Sequence, residues 1–159
     1  MKSKIRLFFL GCAFAAASFL SAQAAGAANI EDVDTARLSQ IVQSNAGAIV
    51  VEFYDPAAIG TDADSSGECA RQQQIFENVA AEYAGQVTFL RFDIRQDPAL
   101  ATAGRLVVCP THLFILNHFP DPTAAAVPNR TSFRHWGLLS QSQFEELIGE
   151  FFQIARPTP

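Results

Sequence analysis

Hydrophobic and polar positions alternate with two different periods along the chain from about residue 30 onward. Runs of β-branched and aromatic residues predict strands at Ala48–Tyr54, Val87–Asp93, Thr111–Leu116 and Thr131–Trp136. Helical apolar spacing and cap residues predict helices at Glu31–Gln43, Glu68–Ala84, Asp97–Ala103 and Ser140–Phe152. The order α-β-α-β-α-β-β-α predicts one α/β domain over residues 30–154, with a mixed sheet and helices on both faces.

A hydrophobic core is expected from the phenylalanines on these elements. Hydrophobic residues make up 49% of the chain and 14 residues are Phe, which favours a packed interior over a disordered chain. The phenylalanines expected in the core are Phe53, Phe76, Phe89, Phe92, Phe114, Phe144, Phe151 and Phe152. Trp136 is expected either in this core or in a groove beside Gly137.

The N-terminus has the pattern of an export signal. Lys2, Lys4 and Arg6 precede an apolar stretch, Leu7–Leu20, and small residues follow it. We expect a signal peptide over residues 1–24, with cleavage as late as residue 28, and export to the periplasm. A retained membrane anchor is the alternative, and the short apolar stretch without a basic stop disfavours it. Lipidation of Cys12 is disfavoured because the apolar stretch before it is too short.

Loss of that segment changes the charge of the chain. It holds three of the 11 basic residues, so the remainder carries 8 arginines and no lysine against 16 acidic residues, a net charge of −8. Nucleic acids and anionic membranes require a basic face, so we expect neither as a partner after signal removal. The absence of lysine also excludes Schiff-base chemistry.

Two cysteines remain beyond the predicted signal. Cys69 stands near the start of a predicted helix, where the helix dipole and unpaired N–H groups favour the thiolate. Cys109 immediately precedes Pro110. In an oxidising compartment such a pair can be a structural disulfide or a redox pair, and two inert buried thiols are the third reading.

Five stretches in order along the chain resemble the thioredoxin superfamily, from about Ile30 to Phe152. They are Ala48–Tyr54 (its central strand), Cys69–Ala80 (the second cysteine and helix of its W-C-G-P-C-K motif), Val87–Asp93 (the next strand), Val108–Thr111 (its I-P-T segment with a cis proline) and Trp136–Ser140 (its V-G-A-L-S segment). The resemblance implies a thioredoxin-like α/β fold, with Glu52 in the place of the family's buried acid.

The same alignment shows where the chain departs from the family. Ser66 occupies the position of the nucleophilic cysteine, so a disulfide between positions 66 and 69 is impossible. The loop between Glu52 and Ser66 is longer than in the usual motif and carries Asp62 and Asp64. Gln74 stands in place of the helix-kinking proline.

The resemblance nevertheless implies a site. It would bring Cys109 over Cys69, and a disulfide can form if the two Cα atoms approach within roughly 7 Å. The pair could then exchange thiols and disulfides with a protein or peptide partner. Pro110, Thr111 and Gly137 would form the edge that binds this partner. A redox-inert module that binds a protein, as a chaperone or assembly factor, is the alternative, and the loss of the first cysteine favours it.

Two further residues are candidates for supporting roles, each with an ordinary alternative. A carboxyl in a central strand is costly to bury unless it is paired or protonated, so Glu52 could pass a proton to or from Cys69. It could instead extend to water or pair with an arginine. Ser66 could donate a hydrogen bond to a thiolate, or simply cap the helix.

No cofactor and no metal is expected. Cys69, Cys109 and His112 are the residues that come nearest to a metal-binding set. His112 follows Cys109 by three residues on a predicted strand, so the two side chains should leave on opposite faces. His118 and His135 have no spacing typical of ligands.

Overall fold

The computed structural model describes residues 29–44, 47–57, 66–106, 110–118 and 129–157. The elements are β1 (Ile30–Asp32), α1 (Thr35–Ser44), β2 (Gly47–Tyr54), α2 (Ser66–Glu82), β3 (Val87–Asp93), a 3₁₀ turn (Ile94–Gln96), α3 (Pro98–Ala103), β4 (Thr111–His118), β5 (Asn129–Trp136) and α4 (Gln141–Phe152). The predicted signal segment, Asp62, Asp64 and Cys109 lie outside the described residues. Within the described part of the chain, no helix combines the length and the hydropathy needed to cross a membrane.

The five strands form one mixed sheet in the order β1-β3-β2-β4-β5. β1, β3 and β2 run parallel to one another, whereas β4 pairs antiparallel with both β2 and β5. The predicted mixed sheet with helices on both faces is thereby confirmed. Because β2 lies at the centre, its side chains are covered on both faces, as its unbroken apolar run indicates.

The start of the domain differs from the prediction. The helix predicted from Glu31 begins only at Thr35, and Ile30–Asp32 form the edge strand β1 beside β3. Two hydrogen bonds fix this change: the Val33 N–H donates to the Arg91 carbonyl at 2.9 Å, and the Arg37 N–H donates to the Asp34 carboxylate at 2.7 Å. The first bond continues the strand, and the second caps the helix that follows it.

Other boundaries shift by a few residues. α2 covers Ser66–Glu82 instead of Glu68–Ala84, and β4 and β5 reach into the loop predicted for residues 117–130. The strands lengthen because their ladder continues through the pairs Asn117 with Arg130 and His118 with Asn129. The predicted strands Thr111–Leu116 and Thr131–Trp136 were therefore each two residues too short.

Two hydrophobic clusters hold the layers together, one on each face of the sheet. Alternate residues of β2 enter them: Val50 joins the cluster under α2 and α4, while Ile49 and Val51 join the cluster under α1 and α3. The predicted core phenylalanines all belong to these clusters or pack against them, with Phe151 only partly buried. Each fully buried phenylalanine contributes about 1.5–3 kcal/mol relative to an exposed one. Trp136 is 53% exposed and is not part of the core.

The capped start of α4 gives a direct test of this architecture. Ser140 and Gln143 form a capping box, in which the Gln143 N–H donates to the Ser140 hydroxyl and the Ser140 N–H donates to the Gln143 amide oxygen. We expect Ser140→Ala to lower the free energy of unfolding by about 1 kcal/mol, because one helix-end donor loses its partner. Urea denaturation measures this change. Glu150→Ala, an exposed change on the same helix, should stay within about 0.5 kcal/mol, and equal losses in the two variants would contradict the capping role.

Candidate functional site

Cys69 lies in the first turn of α2, on the side of the helix that packs against the sheet. Its side chain is 3% exposed, and its sulfur is part of a disulfide bond. The partner sulfur lies outside the described residues, and the other cysteines of the sequence are Cys12 and Cys109. The prediction of a cysteine at the start of a helix is confirmed for Cys69, whereas its pairing with Cys109 stays a prediction.

Gln72, one turn after Cys69, ties the start of α2 to the segment that precedes α4. It is fully buried, and its side-chain oxygen accepts a hydrogen bond from the Leu139 N–H at 2.7 Å. Buried side-chain bonds of this kind hold two backbone segments at a fixed distance, since breaking one leaves an unpaired buried donor. The helix that carries Cys69 is therefore fixed against the segment that contains Gly137 and Leu139.

The three residues predicted to bind a partner lie together at one end of the strands, where β2 ends and β4 begins. Pro110 is buried, and its carbonyl accepts a hydrogen bond from the Gly137 N–H at 2.9 Å. Gly137 has a φ of +91°, a conformation that favours glycine. Thr111 is fully buried and pairs with Phe53 on one side and Trp136 on the other. β2 ends at this same end of the sheet.

Glu52 is buried on the same face of the sheet as α2. It is 2% exposed, so the expectation that it extends to water is wrong. Its neighbour on β4 is His112, which is fully buried and directly opposite in the strand register. Glu52 Oε1 lies 3.7 Å from His112 Nε2, a separation too long for a hydrogen bond. On its other side Glu52 faces Arg91 of β3 in the strand register, in agreement with the expected arginine neighbour.

The polar atoms around this pair are poorly satisfied. Among the described residues, Glu52 Oε2 and both His112 ring nitrogens have no hydrogen-bond partner, and the same holds for Gln72 Nε2 and one Arg91 nitrogen. Each unpaired buried group costs about 1–3 kcal/mol. The fold therefore carries a destabilising polar cluster beneath the helix that holds Cys69.

Aromatic rings hold the His112 imidazole in place. The Phe76 ring stacks on it at 6.0 Å between centroids and 28° between planes. Phe144 meets it edge-on at 5.0 Å. These contacts come from α2 and α4, and they leave the imidazole enclosed by apolar rings on its helix side.

Arg91 lies beside Glu52 on the other side, in register on β3. Its guanidinium donates to Asp32 at 2.8 Å and lies 3.8 Å from Glu77. The hydrogen bond to Asp32 raises the pKa of Arg91. A permanently charged cation thus stands next to the buried carboxyl of Glu52.

His135 on β5 is the strand neighbour of His112. Burial lowers the pKa of His135 below its ordinary value of 6.5, and the charge of His112 lowers it further. His135 is only partly buried, so it stands between the enclosed His112 and solvent.

Local sequence patterns do not reveal the Glu52–His112 pair, because the pairing depends on the register of β2 against β4. From the sequence, His112 is only a weak metal-binding candidate. Within the described residues, no group of three or more His, Cys, Asp or Glu side chains is placed to hold a metal ion. α2 begins at Ser66, whose side chain lies outside the described set, so its predicted roles stay predictions.

Comparisons with known proteins identify the fold. No protein-family model matches the chain, and neither does any curated protein. Chloroplastic thioredoxin z is similar, with 21% identity, a TM-score of 0.54 and coverage of 76% of this chain and 92% of that one. ERdj5 is also similar, with 15% identity and a TM-score of 0.57, over 77% of this chain and 14% of the longer protein. The predicted thioredoxin-like fold is confirmed.

The coupling between Glu52 and His112 can be tested by its effect on stability. We expect Glu52→Leu and His112→Leu each to lower the free energy of unfolding by about 3–5 kcal/mol, because each leaves a buried polar group without its partner. The double variant should recover most of that loss, since an apolar pair carries no desolvation cost. Urea denaturation at neutral pH measures all three.

The neighbouring apolar pair provides the matched control. Val50 and Phe114 face each other across the same two strands. In Val50→Ala combined with Phe114→Leu, no comparable recovery is expected, since neither change leaves a polar group unpaired. An equally unrecovered loss in the Glu52–His112 double variant would contradict the pairing.

Proposed function

We propose that this chain is an exported thioredoxin-like protein that exchanges thiols and disulfides with a protein partner through Cys69 and Cys109. One observation carries the proposal: the sulfur of Cys69 is already in a disulfide, at the start of the helix that packs over a buried carboxyl. The likeness to thioredoxin structures supports thiol redox chemistry in general terms.

Cys109 is the partner that fits Cys69 best. Cys12 lies within the predicted signal segment, which export would remove. Cys109 directly precedes Pro110 in the sequence. The Pro110 carbonyl accepts a hydrogen bond from the Gly137 N–H, at the end of the sheet where β2 ends. We therefore assign Cys109 as the partner sulfur.

The burial of Cys69 suggests the order of the chemical steps. Because Cys69 is 3% exposed, we place the attack of a partner thiolate on the Cys109 sulfur. That attack forms a mixed disulfide and releases Cys69 as a thiolate, which the start of the helix stabilises. A second thiolate of the partner then displaces Cys109, so the partner leaves oxidised to a disulfide and this protein leaves as a dithiol.

Glu52 supplies the proton that this sequence needs. The thiolate of Cys69 is enclosed, and the carboxyl of Glu52 is buried on the sheet face that α2 covers. A protonated Glu52 can neutralise the leaving thiolate, and the carboxylate can accept that proton again when the thiol is oxidised. The two protons that the protein gains equal the two that the partner dithiol releases.

The partner is proposed to bind at the end of the sheet formed by Pro110, Thr111 and Gly137. Trp136 stands next to Gly137 and is 53% exposed, which offers an apolar ring to an extended peptide. The net charge of −8 without the signal segment favours a partner that is neutral or basic over nucleic acid or an anionic membrane.

A redox-inert binding module is the second candidate. Ser66 replaces the cysteine that ordinarily attacks, and this observation favours a chaperone or assembly factor that uses the same end of the sheet. In that case the disulfide of Cys69 would be structural and resistant to mild reductants.

The disulfide assignment can be tested by mass spectrometry of the exported protein under non-reducing conditions. We expect a peptide containing Cys69 bonded to Cys109, and its release by mild dithiol treatment of the folded protein, followed by alkylation of both sulfurs. Cys69→Ser and Cys109→Ser should each abolish the bond, whereas Cys12→Ser should leave it unchanged. Two sulfurs that react only after denaturation would leave the binding module as the function.

Export can be tested by sequencing the N-terminus of the protein recovered from the periplasm. We expect the mature chain to begin after residue 24, and at the latest after residue 28, because small residues there suit signal peptidase. Changing Lys2, Lys4 and Arg6 to Glu should block processing. A full-length chain in the periplasmic or membrane fraction would contradict the assignment.

A further inference from the structure

A row of ionisable side chains crosses the sheet from one edge to the other. Strand register places its members opposite one another in the order Asp32, Arg91, Glu52, His112, His135. We call these five residues the polar row. All of them belong to the sheet face that α2 and α4 cover, because they alternate with residues of the other cluster.

The middle of the polar row is buried and its ends reach solvent. Glu52 and His112 are 2% and 0% exposed, whereas the Asp32 side chain is 63% exposed and His135 is partly exposed. The polar row therefore joins the buried carboxyl of Glu52 to ionisable groups that reach solvent.

The two halves of the polar row differ in what they can carry. On the β1 side, Arg91 keeps its proton at every relevant pH and is fixed by Asp32 and Glu77, so it can stabilise charge but cannot pass a proton. On the β5 side, both residues are histidines. An imidazole can accept a proton on one nitrogen and release one from the other.

We infer that His112 and His135 form the proton route that connects buried Glu52 to solvent at the β5 edge. This inference rests on the proposed function, in which Glu52 exchanges a proton with Cys69. His112 Nε2 faces Glu52 Oε1 at 3.7 Å, and its other nitrogen has no hydrogen-bond partner among the described residues. On the far side of the row its strand neighbour is His135. The two histidines act through Glu52 and are therefore positioning residues for its proton.

The sheet, α2 and α4 each contribute groups that face this route. On the strands they are Glu52 and, beyond it, Arg91 with Asp32; on α2, Glu77 lies against Arg91. α4 presents Phe144 to His112. When a thiol at Cys69 is oxidised, its proton passes to Glu52. A side-chain rotation that closes the 3.7 Å gap to His112 then lets the proton pass to His112, to His135 and to water. Two electrons pass from the two thiols to the external disulfide, which leaves as two thiols.

The test is the rate at which the fully reduced protein is oxidised by oxidised glutathione, measured between pH 5 and 9 by alkylation and mass spectrometry. A general acid–base group typically accelerates a reaction by about 10²–10⁴-fold. We expect His112→Phe, which removes only a step of the proton route, to slow the reaction at least about tenfold. Its pH profile should become that of Glu52→Gln. The double variant should be no slower than Glu52→Gln alone, because both changes interrupt one route.

Phe114→Leu is the matched control. Phe114 lies on the same strand and face as His112 and contacts the same Phe144 ring, at 5.5 Å. It should lose stability and keep the pH profile of the unchanged protein. If the unchanged protein reacts and His112→Phe reacts equally fast, the proton route is wrong while the redox function stands. If the unchanged protein does not react with glutathione at all, the proposed function itself fails.

His135→Asn keeps the inference testable if His112→Phe does not fold. His135 is partly exposed at the sheet edge, so its replacement should leave the fold intact. We expect slower oxidation that becomes sensitive to external buffer concentration, because the route loses its outer residue. An unchanged rate in folded His135→Asn would overturn the route.

Discussion

The pairing of β2 with β4 is the constraint on which the site depends. It places Glu52 directly opposite His112, and it places Pro110 at the end of the sheet where β2 ends. A shift of one residue would turn His112 to the opposite face and leave Glu52 buried without its partner. The apolar neighbours Val50 and Phe114 in the same ladder hold that register, because they must stay in the core.

At the Glu52–His112 pair, the residues that suit the proposed chemistry are those that lower the stability of the domain. A buried polar pair with unpaired polar atoms weakens the fold relative to an apolar pair of similar size. The aromatic rings of Phe76 and Phe144 compensate by enclosing the imidazole. The cost becomes understandable if Glu52 and His112 move protons for Cys69, whose sulfur is in a disulfide on the helix above them.

Local signals in the sequence predicted most of the fold. The bounds of β3 match the prediction, and the caps Asp97 and Ser140 mark the starts of α3 and α4 as expected. β1 was missed because its three residues form a strand only through β3, about sixty positions away in the chain. Local periodicity contains no information about such a partner.

The candidate site was predictable only in part, for the same reason. Glu52 and Cys69 stand out as single residues in a buried strand and at a helix start. The alignment of His112 and His135 with Glu52 depends on strand order and register, which five separate strands do not specify. Alternation within a strand fixes only which side chains share a face, so the polar row emerges from the assembled sheet.

The most direct test of this account is a redox titration of the folded protein against glutathione, with the Cys69 disulfide followed by alkylation and mass spectrometry. The account predicts reversible reduction with a midpoint potential above about −300 mV, the range of exchangeable disulfides. A disulfide that stays closed until the protein unfolds, or one with a potential below that value, would contradict it and identify a structural bond.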